Sequence, residues 1–263
     1  MGTTISAGKR LRVKWDAGEA AFGLWAAIPA SLTAELGADA GYDYVCVDLQ
    51  HGLSDEATMI SMFQATQVAG AVPLARLAWN EPWLIMRALD LGALGVILPL
   101  IDNAEDARRA VEACRYPPRG RRSYGPVRAQ MVVGSTSMDD LADEVLCFAM
   151  IETRDGLDNL DEIAATPGLD GLYVGPSDLA IALGLAPRPL SNGAGEDRPA
   201  LAEAIDRIRE VCAASGLIAG IQCGSGVAAS RYAGAGFRLI TVGTDVNLFK
   251  SAIKRELTAA KGA

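Results

Sequence analysis

The chain has 263 residues, half of them hydrophobic, which is enough to bury a full core and close to the roughly 250 residues usual for a (β/α)8 barrel. Its 24 Lys and Arg against 32 Asp and Glu give a formal net charge of -8, a balance that repels the phosphates of nucleic acid. Five cysteines without paired C-x-x-C spacing suggest neither a disulfide framework nor a zinc knuckle. With no apolar signal core in MGTTISAGKRLRVKWDAGE and no apolar stretch of membrane-spanning length, a soluble cytoplasmic protein is expected.

Eight short apolar runs follow along the chain, each succeeded by a helical pattern or by turn residues: AFGLWAAI (21–28), YDYVCVDLQ (42–50), VPLARL (72–77), GVILPL (95–100), VLCFAMIET (145–153), GLYVGP (171–176), IAGIQCG (218–224) and FRLITVG (237–243). Near-continuous apolar character, rather than alternation, marks strands buried on both faces. Between them lie helical stretches such as SLTAELGADAG, NAEDARRAVEACR and ALAEAIDRIREVCAASG, the last with Gly216 as its stop. Strand and helix alternating eight times predict an α/β fold, a closed TIM barrel forming one domain over residues 1–263. An open doubly wound sheet would carry a glycine-rich phosphate turn after its first strand, and AAIPASLTAE has none. The one linker-like segment, PRPLSNGAGEDRP (187–199), reads as a surface loop before a helix.

In such a barrel the chemistry sits on the loops that leave the C-terminal strand ends. Asp48, His51, Arg76, Glu152, Asp178 and Asp245 all fall at or just past such ends. His51, the only histidine, serves equally as a hydrogen-bonded structural residue or as an acid/base. Arg76 follows an apolar run and needs a carboxylate, from the protein or from a substrate. Glu152 and Asp178 either join an ion network with Arg76 or Arg122 or hold a divalent metal. The metal is the better reading, because two adjacent carboxylates repel unless a cation intervenes. Oxygen ligands without a second histidine favour Mg2+ or Mn2+ over Zn2+. The turns CGSG (223–226) and VGTD (242–245) either bind phosphate or merely turn the chain. The lysines, at 9, 14, 250, 254 and 261, lie near the termini, so a Schiff-base mechanism lacks its residue and a Lewis acid would have to activate a carbonyl. The basic segment RYPPRGRRSYGPVR (115–128) is expected to rim a site for anionic substrates.

VDLQHG, ARLAWNEP, LPLIDNAEDAR, RYPPRGRRSYGP, MIETRDGLDNLDEI and GLYVGPSDLAIALG, in this order, resemble the HpcH/HpaI aldolases, class II pyruvate-dependent enzymes that include 4-hydroxy-2-oxoheptanedioate aldolase. The resemblance implies that Glu152 and Asp178 bind Mg2+ or Mn2+, with Co2+ as a substitute, and that the metal chelates the carboxylate and keto oxygens of pyruvate. It makes His51 the acid/base and Arg76 the residue that stabilises the enolate. It aligns Asp90 with an aspartate that tunes the histidine, although barrel geometry puts Asp90 at the opposite face. Gly175, Pro176 and Ser177, ahead of Asp178, would contact substrate. Many relatives carry glutamine where this chain has Met150, which leaves the substrate contact at that position open. Relatives are commonly hexamers that exchange a C-terminal helix. The expected activity is reversible cleavage of a 4-hydroxy-2-oxo acid to pyruvate or hydroxypyruvate and an aldehyde, with no nucleic-acid or membrane partner. The alternatives are an acyl-CoA lyase, its phosphates held by segment 115–128, and a non-catalytic 2-oxo-acid-binding barrel that keeps Arg76 and the metal ligands without needing His51.

Overall fold

The computed structural model describes residues 8–191 and 198–262. Each apolar run contains one strand: β1 (Ala21–Ala26), β2 (Tyr44–Asp48), β3 (Val72–Arg76), β4 (Gly95–Leu98), β5 (Leu146–Ile151), β6 (Gly171–Val174), β7 (Ile218–Cys223) and β8 (Leu239–Thr244). Successive strands pair in parallel and β8 closes on β1, which leaves no sheet edge and completes a (β/α)8 barrel. The helices are α1 (Lys9–Asp16), α2 (Ser31–Asp39), α3 (Glu56–Val68), α4 (Pro82–Asp90), α5 (Ala104–Cys114), α6 (Ala129–Val133), α7 (Met138–Asp143), α8 (Arg154–Asp158), α9 (Leu160–Ala164), α10 (Pro176–Ala182), α11 (Pro199–Ser215), α12 (Gly226–Ala235) and α13 (Asp245–Ala260). The expected surface loop leads into α11, and its residues 192–197 lie outside the described ones.

The unbroken apolar runs have a physical cause. Side chains of one parity, among them Val45, Val47, Ala75, Val96 and Leu172, pack under the helices. Those of the other parity, including Trp25, Tyr44, Cys46, Leu74, Ile97, Phe148 and Tyr173, fill the barrel itself. Both strand faces are therefore dry, and burying each large apolar side chain contributes about 1.5–3 kcal/mol. The interior is crowded enough that a Cβ on Gly23 would collide with the ring of Tyr44. The hydroxyls of Tyr44 and Tyr173 are satisfied by Thr241 Oγ1, at 3.0 and 2.6 Å. All five cysteines are buried and free.

α1 closes the N-terminal end of the barrel. Leu11 joins the interior cluster. Lys14 pairs with Asp43 at 2.7 Å, and Trp15 Nε1 donates to the carbonyl of Arg238 at 2.9 Å, both contacts at strand starts. The opposite end, where the strands finish, stays open. No described helix is long and apolar enough to cross a membrane.

Candidate active site

Asp48 ends β2 in register with Arg76 at the end of β3, and both point into the barrel mouth. Arg76 donates to both carboxylate oxygens of Asp48, through Nε at 2.8 Å and Nη2 at 2.5 Å. Its guanidinium also lies 5.0 Å from the ring centre of Trp25, whose Nε1 donates to Asp48 Oδ2 at 3.1 Å. Asp48 Oδ1 further accepts the amides of Gln50 and His51, at 3.0 and 3.2 Å, so the carboxylate ties down the turn that carries the exposed His51. Burial pushes the Asp48 carboxyl up. The hydrogen bonds and charge of Arg76, with the two amides, outweigh that push and hold it below its ordinary value. The carboxylate that Arg76 requires is thus supplied by the protein, and a bidentate pair fixes the plane of the guanidinium.

Glu152 follows β5 and is 3% exposed. Its Oε1 accepts the amide of Leu100 at 3.0 Å. Leu100, with φ 54°, is the non-glycine residue in the left-handed region among the described residues, a conformation that costs about 1–2 kcal/mol for an L-residue. The strain sits where the loop after β4 must turn an amide onto the carboxylate. The next residue, Thr153, accepts the amide of Gly156 at 2.9 Å to cap α8, while its hydroxyl donates to Asp102 in the same β4 loop.

The segment 175–178 brings a second carboxylate to the same place. A Cβ on Gly175 would collide with Glu152 Oε2 and come within 3.1 Å of Met150 Sδ, so only glycine lets β6 pass this close. Pro176 opens α10 at a position where its missing N–H costs nothing. Asp178 lies in the first turn of α10, where a negative charge is favoured. The Glu152 carboxyl is pushed up to about 7, chiefly by burial and further by the charge of Asp178, against the pull of the Leu100 amide and Arg76. Arg76 is already engaged by Asp48, so among the described residues the pair of carboxylates has no cation of its own. Hard oxygen donors in this state fit Mg2+ or Mn2+. No group of three or more His, Cys, Asp and Glu suited to a metal occurs among the described residues, so water and substrate oxygens would complete the shell.

The barrel mouth therefore gathers His51, Arg76, Met150, Glu152, Gly175, Pro176, Ser177 and Asp178. One expectation, the basic rim, is corrected, while Asp90 lies where barrel geometry put it. Asp90 ends α4, which runs back toward the strand starts, and pairs with Arg122 at 2.8 Å, so within the chain it does not meet His51. The basic segment 115–128 also lies at the closed end and does not rim the mouth. Arg115 reaches the carbonyls of Val145 and Gly168 before β5 and β6, while Arg119 pairs with Asp139 and Asp143. Asp245 is a brace, accepting the amides of Ala27 and Ile28 at 2.9 and 3.0 Å and so tying α13 to the end of β1. The turns CGSG and VGTD supply helix caps, Ser225 for α12 and Thr244 for α13. Two participants escaped the sequence reading. Nothing in a leucine signals a positive φ at Leu100, whereas Trp25 was findable by its inward parity on the first strand.

Residues 21–252 match the model of the HpcH/HpaI aldolase/citrate lyase family. A hydroxypyruvate/pyruvate aldolase of Rhizorhabdus wittichii is 36% identical over 252 residues, 96% of this chain and 98% of that one. A 4-hydroxy-2-oxo-heptane-1,7-dioate aldolase of Escherichia coli is 35% identical over 250 residues, 94% of this chain and 92% of that one. The crystal structure of an HpcH/HpaI aldolase/citrate lyase family protein from Burkholderia cenocepacia J2315 superposes with a TM-score of 0.86 at 34% identity, covering 97% of this chain and 98% of that one. The matched span runs from β1 into α13 and takes in both carboxylates, and the chain belongs to the HpcH/HpaI aldolase/citrate lyase family of carbon–carbon lyases.

Proposed function

We propose that this chain is a metal-dependent aldolase that reversibly cleaves 4-hydroxy-2-oxo acids to pyruvate, or hydroxypyruvate, and an aldehyde. Glu152 and Asp178 hold the cation, Mg2+ or Mn2+ with Co2+ as a working substitute. A divalent ion held by them would supply Lewis-acid chemistry to the carbonyl of the 2-oxo acid. Arg76, its plane set by Asp48 and Trp25, faces the negative charge that develops on the 2-oxo oxygen. His51 takes the proton of the 4-hydroxyl. The bond between C3 and C4 then breaks, the aldehyde leaves, and the electron pair stays with C3 until a proton completes the product. Gly175, Pro176 and Ser177 line the wall beside the oxo acid, and the thioether of Met150 makes that part of the pocket apolar.

One observation carries this reading: a buried Glu152 carboxyl pushed up to about 7, facing Asp178, while the nearest cation is engaged elsewhere. Chelator should abolish cleavage and added Mg2+ or Mn2+ should restore it. Borohydride with pyruvate should leave no adduct, since the described lysines lie on α1, α13 and its C-cap. Full activity in metal-free protein, or a reduced adduct on a lysine, would sink the proposal. α13 also exposes Leu248, Phe249, Ile253 and Leu257, an apolar surface that supports a homo-oligomer, a hexamer with this helix exchanged between subunits.

A further inference from the structure

Glu152, Gly175 and Gln222 form one row across the barrel mouth. Ile151 on β5 pairs with Val174 on β6, and Val174 pairs with Ile221 on β7. One residue further along each strand come Glu152, then Gly175, then Gln222, all of the inward parity. The Glu152 carboxylate fills the place where a side chain on Gly175 would stand, and the next inward position of the row is the half-buried Gln222. Gln222 lines a cavity of about 130 Å³ between the ends of β6, β7 and β8, together with Pro176, Ser177, Leu190, Thr244 and Asn247 among others.

The chemistry of this cavity is unlike that of the rest of the mouth. Its described lining contains no charged side chain. It offers two amides, Gln222 and Asn247, and two hydroxyls, Ser177 and Thr244, over an apolar base of proline and leucine. Thr244 Oγ1 accepts the amide of Asn247 at 3.3 Å, whereas the side chains of Gln222, Ser177 and Asn247 make no hydrogen bond to another described residue. Uncommitted amides and hydroxyls match hydroxyl groups, which both donate and accept. A carboxylate, sulfonate or phosphate would lose its hydration here and meet no cation in return.

Resting on the aldolase reading, we infer that the cavity receives the aldehyde half of the substrate and selects a short, uncharged, hydroxylated aldehyde, with Gln222 as the specificity-determining residue. The 2-oxo acid occupies the charged side of the row at Glu152, and the aldehyde tail occupies the neutral side at Gln222. An aldehyde that ends in a carboxylate, as the second acid group of a dioate substrate requires, is disfavoured.

The test is the metal-loaded addition of pyruvate to glyceraldehyde, propanal and succinic semialdehyde, read as kcat/KM for each. The wild-type chain should favour glyceraldehyde over both others. In Gln222→Leu the ratio of glyceraldehyde to propanal should fall by about ten- to hundredfold, the usual consequence of removing one hydrogen-bonding pocket contact. In Gln222→Arg the ratio of succinic semialdehyde to propanal should rise. An unchanged ratio in Gln222→Leu, or a wild-type preference for succinic semialdehyde, overturns the inference. Deuterium exchange into the methyl group of pyruvate, without aldehyde, separates the two levels of failure. If exchange occurs and aldehydes add but the ratios do not move, only the role of Gln222 falls. If neither exchange nor addition occurs with any aldehyde, the aldolase reading falls and this inference with it.

Discussion

At the scale of single residues, the site depends on one buried ion pair. Asp48 organises Arg76, Trp25 and the backbone of His51 at once, and removing its charge would leave Arg76 buried without a partner. Asp48→Asn should therefore cost about 3–5 kcal/mol of stability at pH 7. The carboxyl of Asp48 is held below its ordinary value, so its contribution is fully present above an unfolded value near 4 and is lost as pH falls through the lower folded one. The gap between denaturant melts of wild type and variant should be fully open at neutral pH and narrow as pH falls below about 4. A constant gap across that range would mean that the pair does not stabilise the fold through its charge. His51 makes no comparable structural contribution. His51→Ala should retain stability and pyruvate binding while cleavage slows by about 10²- to 10⁴-fold, and cleavage at the wild-type rate would remove it from the acid/base role. The residue types were legible because carboxylates, arginine and histidine seldom end apolar runs without a reason. Which carboxylate served which cation was not, because pairing depends on register between strands far apart in sequence.

At the scale of elements, every strand was visible, because a strand buried on both faces must be apolar throughout. The short helices α6 to α9 were not, since five or six residues carry too little periodicity to separate a helix from a turn. α1 went unseen for another reason. It has one fully buried residue, Leu11, and works by lying across strand starts. α13 shows its apolar residues without a surface to receive them. Phe249→Glu with Ile253→Glu should shift the assembly to a smaller species in light scattering while the circular dichroism of the barrel is unchanged. An unaltered mass would exclude this helix face from the interface.

At the scale of the whole molecule, the barrel separates its tasks by end. The closed end holds the basic segment in ion pairs with Asp90, Glu112, Asp139, Asp143 and Asp170, where charge serves stability. The open end leaves Glu152 and Asp178 short of a cation among the described residues. A divalent ion bound there should raise Tm by mass action, by about 2.7 kcal/mol at a hundredfold excess over Kd, or several degrees for a chain of this length. Thermal scans with Mn2+ should show the shift in wild type and none in Glu152→Gln with Asp178→Asn. An equal shift in both would place the ion elsewhere. The expectation that failed most clearly, a basic rim to the site, failed because composition records charge but not which end of a barrel a loop occupies.

The uneven placement of lysine also sets the chemistry of the outer surface. Lys9 and Lys14 lie on α1 across the closed end, and Lys250, Lys254 and Lys261 on α13 and its C-cap, while the five cysteines are buried. A support that couples through these lysines therefore grips the protein from beneath the barrel or along its last helix, and a thiol-reactive one finds no handle among the buried cysteines. Coupling through Lys9 and Lys14 would turn the open end of the barrel to the solution without any engineered tag, and the molecule in that sense comes already oriented for use on a surface.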